Sequence, residues 1–298
     1  MRAFGFGVIS LIVACVPTAT AGGQAALNWS AGDSASVAWL AENGRRLDGR
    51  GVVVWVPRDS MPEAQQRALL DSLDRGVAEL RRSMGGVQGW QLIGERPVTF
   101  YLSPGRYVSH ATARGAVFIR WELVRTGRAP YLHEASHVLL FPAPSADAGA
   151  ESPDARAARI EGQPLWLMEG LPDVMAQRAA QAIGFREGDT FDVGGLDRAH
   201  ATCAARTAAS PFGDEILTKV GTRGRLLQLF TTERQTVAPA FYACAQSAAL
   251  QLVEQIGIER AAGVMAGMLD GSWERRFVDA VGSSLADFNA AWVRRIRE

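Results

Sequence analysis

Leu132-His133-Glu134-Ala135-Ser136-His137-Val138 sets two imidazoles four residues apart, with a carboxylate directly after the first. Residues i and i+4 share one face of a helix, so His133 and His137 can reach a single metal ion. Glu134 lies about a hundred degrees round the same helix and can lean toward a water beside that ion. This is the H-E-x-x-H pattern of zinc hydrolases. Zinc with three protein ligands keeps a fourth position for water and lowers that water's pKa to about 7, within reach of a neighbouring carboxylate base. Two histidines on a solvated helix face would show the same spacing. The apolar run that closes this helix, Val138-Leu139-Leu140, and the acid waiting downstream favour the metal.

The missing ligand has a candidate in Leu165-Trp166-Leu167-Met168-Glu169-Gly170-Leu171-Pro172-Asp173. Glu169 lies in a stretch that otherwise reads as core, where an unpartnered carboxylate is costly and a metal is a natural partner. Asp173 follows four residues later on the same helix side, placed to accept the second N–H of a ligand imidazole. A partly buried structural Glu and a helix-start acid are the plainer readings of these two. Pro172 removes one backbone bond and can kink the helix, which bears on the aim of Asp173.

H-E-x-x-H followed by E-x-x-x-D resembles the gluzincin metallopeptidases, and the W-L-x-E-G wording is most similar to bacterial peptidase-MA-like proteins. That resemblance implies a zincin-like α+β fold: a small mixed β-sheet lobe ending in the active-site helix, then an all-helical lobe. It implies one Zn²⁺ per chain held by His133, His137 and Glu169, with Glu134 as general base acting on a peptide or protein substrate. It further implies that an edge strand, here Ala116, Val117, Phe118, Ile119 and Arg120, pairs with the extended substrate backbone. A central core strand is the other reading of that run. An oxyanion donor is also needed, and the helical lobe offers Tyr242 and His200. Tyr242 carries the family wording; a Tyr packed between helices and a surface His are the alternatives. A catalytically silent zincin-like envelope protein that binds a peptide or protein partner would keep the same fold. The intact Glu134 argues against it, because a structural site needs ligands and no base.

Further out, Met1-Arg2, the apolar run at 3–16 and Ala19-Thr20-Ala21 make a secretory signal peptide over residues 1–21. Ile12-Val13-Ala14-Cys15 also resembles a lipobox, in which case the protein is anchored to a membrane through Cys15. Both readings place it outside the cytoplasm, in the periplasm or secreted. Beyond Cys15 the chain has two cysteines, Cys203 and Cys244, an even pair that suggests one disulfide in an oxidising compartment. With 31 basic against 31 acidic residues, no charge excess points to nucleic acid.

The pattern divides the rest into a lead-in at 22–51, the α+β lobe at 52–142, a loop or flap at 143–163 and the helical lobe at 164–298. In the first lobe, strands are expected at 52–57, 97–102 and 115–121, with a helix from a Ser60-x-x-Glu63 capping box to Gly85. The motif helix runs from Pro130 to before Pro142. In the second, helices are expected at 196–208, 215–220, 223–231, 240–256, 259–269, 273–281 and 284–296, the last with a Ser284-x-x-Asp287 cap.

Overall fold

The computed structural model describes residues 30–85, 96–105, 109–112, 115–140, 163–188, 194–219, 233–268 and 270–298. The expected signal peptide, the Cys15 site, the loop at 143–163 except its last residue, and the helix at 223–231 lie outside these residues. Among them the fold is α+β, with a five-stranded mixed sheet and eleven helices.

The first half comprises α1 (Ala31–Asn43), β1 (Gly44–Asp48), β2 (Val52–Pro57), α2 (Glu63–Met84), β3 (Val98–Ser103), β4 (His110–Ala111), β5 (Ala116–Arg120), α3 (Trp121–Arg125) and the motif helix α4 (Tyr131–Leu140). The sheet order is β1-β2-β3-β5-β4. β2, β3 and β5 are parallel, while β1 and β4 run antiparallel on the two edges. Alternation sends Val52, Val54, Val56, Val98, Phe100, Leu102, Val117 and Ile119 to one face, all fully buried against α2 and α4. α1 packs on β1, β2 and β3.

The lead-in is more ordered than its composition suggests. α1 starts at a reciprocal cap in which Ser30 Oγ accepts from Asp33 N–H and Asp33 accepts from Ser30 N–H. β1 has one half-buried apolar residue, Leu47, because an edge strand needs little more. The Ser60–Glu63 capping box does not form: Pro62 takes the N-cap position and Ser60 Oγ donates to Pro57 O at 2.6 Å.

The second half comprises α5 (Leu165–Ile183), α6 (Leu196–Ala208), α7 (Gly213–Lys219), α8 (Arg234–Ile256), α9 (Ile258–Ala266), α10 (Trp273–Val281) and α11 (Leu285–Arg297). The Ser284 cap on α11 is present, accepting from Asp287 N–H at 3.1 Å. One continuous apolar core joins the sheet half to the helical half. α5 is the bridge, packing on α2 and α4 on one side and α8 on the other. A Cβ on Gly170 would lie 2.1 Å from Ala245 O, so glycine is what lets α5 and α8 approach this closely. Cys203 and Cys244 form a disulfide between α6 and α8. No helix among the described residues is long and apolar enough to cross a membrane.

Candidate metal centre

α4 and α5 lie side by side, and their polar residues meet where apolar neighbours surround them. His133, Glu134 and His137 form a buried group whose donor atoms all lie within 4.8 Å of one another, a group that can hold a metal ion. The Nε2 atoms of His133 and His137 are 3.1 Å apart. Glu169 Oε2, arriving from α5, is 3.8 Å from the first and 3.7 Å from the second. A tetrahedral ion with bonds near 2.1 Å would space its donors about 3.4 Å apart, so this triangle needs shifts of only a few tenths of an ångström.

Asp173 settles the orientation of one imidazole. Its Oδ1 stands 2.6 Å from His133 Nδ1, a charge-assisted hydrogen bond in which the ring N–H donates. Nε2 is thereby aimed at the other two donors. Pro172 lies inside α5, which runs unbroken through it, and the lost backbone bond leaves Asp173 on target.

Charge supports the same reading. Glu134, Glu169, Asp173 and Glu187 are each at most 6% exposed, and two imidazoles are their company. Burial alone would lower the pKa of His133, but the charges of Asp173, Glu134 and Glu169 and the Asp173 hydrogen bond more than offset it, to about 10. The local field of Asp173, Glu134 and Glu169 therefore favours positive charge at this point. Such a field is compensated by a cation better than by any neutral packing. The residues fit a divalent ion.

Tyr242, on α8, brings its hydroxyl to 3.5 Å from Glu169 Oε2, beside the donor triangle. His200 lies elsewhere in the interaction pattern and is not a surface residue. It is 8% exposed, with Nδ1 2.8 Å from Ser247 Oγ, which also accepts from Trp292 Nε1 at 3.0 Å. The run Ala116–Arg120 forms the expected strand but not an open edge: β3 pairs along its whole length, and β4 covers Val117 and Phe118 on the other side. The outer strand is β4, two residues long and polar at His110, which gave the sequence no periodic signal. His110 itself pairs with Asp33 at 3.0 Å and stacks on Phe118.

Glu187 is the residue that sequence reasoning missed. Its Oε1 accepts the backbone N–H groups of Leu132 at 2.6 Å and His133 at 3.1 Å. Burial pushes its carboxyl up to about 8 against the pull of those two N–H groups. The available signal was indirect: a helix opening at Pro130, which has no side-chain acceptor, needs a cap from somewhere else.

No family model, curated protein or solved structure matches the chain. The functional reading therefore stands on the geometry of the site.

Proposed function

We propose that the protein is an exported, zinc-dependent metallopeptidase of gluzincin type. The observation that carries the reading is the convergence of His133 Nε2, His137 Nε2 and Glu169 Oε2 within 3.8 Å, with Asp173 fixed on the far nitrogen of His133. In this reading those three side chains hold Zn²⁺. Bound there, the ion supplies Lewis acidity, which brings water's pKa toward neutrality and polarises a scissile carbonyl.

The remaining work belongs to the chain. Glu134, directly after His133 and fully buried, accepts a proton from the attacking water and delivers it to the leaving amine. Asp173 keeps His133 in the tautomer that presents Nε2. The Tyr242 hydroxyl supplies a donor for charge developing on the carbonyl oxygen. Leu132, Ala135, Trp166 and Leu167, sequence neighbours of the donors on α4 and α5, are fully buried, and burial strengthens each of these interactions. The Cys203–Cys244 bridge is compatible with an oxidising compartment, which supports export.

One observation favours a second reading, a structural ion in a catalytically silent protein that binds a peptide or protein partner. Every donor is at most 4% exposed, so a substrate needs the enclosure to open. Hydrolysis of unfolded casein by the purified protein separates the two. Cleavage that a chelator abolishes and added zinc restores is expected; zinc-replete protein without cleavage would leave the silent reading.

A further inference from the structure

The first metal ligand sits where a helix is least secure. α4 begins at Tyr131, so Leu132 and His133 belong to its first turn, whose N–H groups have no partner within the helix. Glu134 N–H is the first to find one, Pro130 O at 3.1 Å. Pro130 brings no side-chain oxygen to the turn. Left to itself, this turn would fray and carry the His133 ring with it.

We propose that Glu187 is a positioning residue for the metal centre: from 54 residues downstream it caps the motif helix and holds the His133 backbone in place. One carboxyl oxygen takes both N–H groups that the first turn leaves without a partner inside the helix. The segment that delivers it is fitted to the same spot. Phe185 packs its ring against Tyr131 at 6.1 Å, and Gly188 N–H donates to Ala129 O at 3.3 Å. A Cβ on Gly188 would fall 2.3 Å from the Arg128 carbonyl carbon, so only glycine allows this contact.

His133 is thus held twice by one stretch of chain. α5 sends Asp173 to its ring, and the tail of α5 sends Glu187 to its backbone. The consequence is that the docking of α5 onto α4 and the aim of the first ligand are one event, and that loss of Glu187 should weaken the metal site without touching a ligand.

The inference rests on the metal-centre reading above, and the experiment distinguishes the failure of either. Asp74 provides the control, because it caps backbone in the same manner far along the fold, accepting from Gly51 N–H at 2.6 Å and Arg50 N–H at 3.2 Å in the β1–β2 turn. Zinc affinity is measured by chelator competition, and the ligand field by the visible spectrum of the Co²⁺-loaded protein, for the full chain and for Glu187→Ala, Glu187→Gln and Asp74→Ala. Glu187→Ala is expected to raise the zinc dissociation constant about 10–100-fold and to alter the Co²⁺ spectrum. Glu187→Gln keeps an acceptor oxygen and should recover most of the affinity. Asp74→Ala should lose thermal stability with zinc affinity and Co²⁺ spectrum unchanged. Where Glu187→Ala does not fold, Glu187→Asp draws the carboxylate back by one methylene and is expected to weaken zinc in the same sense. Wild-type affinity and spectrum in the folded variant, or an equal loss in Asp74→Ala, would overturn the proposal. Failure of the unaltered chain to bind either metal would instead overturn the metal-centre reading, and this inference with it.

Discussion

Among the described residues, two buried polar clusters that join neighbouring helices differ in how their charge is resolved. Among α6, α8 and α11, His200 and Trp292 both hydrogen-bond Ser247 Oγ beside the Cys203–Cys244 bridge. Burial holds the His200 imidazole below its ordinary pKa, so it stays uncharged at neutral pH. Between α4 and α5, the three acids Glu134, Glu169 and Asp173 meet two imidazoles, an excess of acidic groups in a buried place. The first cluster holds helices together. The second gathers side chains that could hold a metal ion.

The sharpest way to break this contrast is Glu134→Gln. The exchange keeps size and removes the proton acceptor, so turnover is expected to fall by about 10² to 10⁴ while zinc stays bound. Zinc content and peptide hydrolysis on the same preparation check it. Loss of the metal would move Glu134 from base to ligand.

Next in size is Asp173→Asn. An amide can still accept from His133 Nδ1–H, but without the charge that fixes the ring, and zinc affinity is expected to drop by about 10-fold or more. Chelator competition is the measurement. Unchanged affinity would mean that the 2.6 Å contact does not tune the ligand.

These two positions also show what a sequence can and cannot display. His133, Glu134 and His137 are legible because helix geometry alone brings them together, and Glu169 because a carboxylate in an apolar run asks for a partner. Asp173 is legible by its spacing from Glu169, although Pro172 clouded its aim until α5 proved continuous. The strands at 52–57, 98–103 and 116–120 announce themselves by β-branched and aromatic runs with little alternation, since both their faces are largely covered. β1 and β4 do not, because an edge strand can be short and polar and still complete its ladder. That β5 is interior followed from β4, so the open-edge expectation failed with the strand that went unseen. Glu187 was hidden for another reason: it binds backbone N–H groups, which every residue has, and so leaves no side-chain pattern to read.

The smallest effect on the metal should come from the other cluster. Replacing Cys203 and Cys244 by Ser is expected to lower stability by about 2–4 kcal/mol, seen as an earlier denaturation midpoint. Zinc affinity of the folded variant should not change. A fall in affinity that follows the loss of the bridge would show that α8 transmits strain through Gly170 to Glu169, and would erase the distinction between the clusters.

Zinc stoichiometry tests the central claim most directly. Native mass spectrometry of the full chain, purified without chelators and titrated with Zn²⁺, is expected to show one ion per chain, and none in the His133→Ala, His137→Ala double variant at the same concentration. A wild-type chain that takes up no zinc, or a double variant that still binds one ion as tightly, would contradict the account.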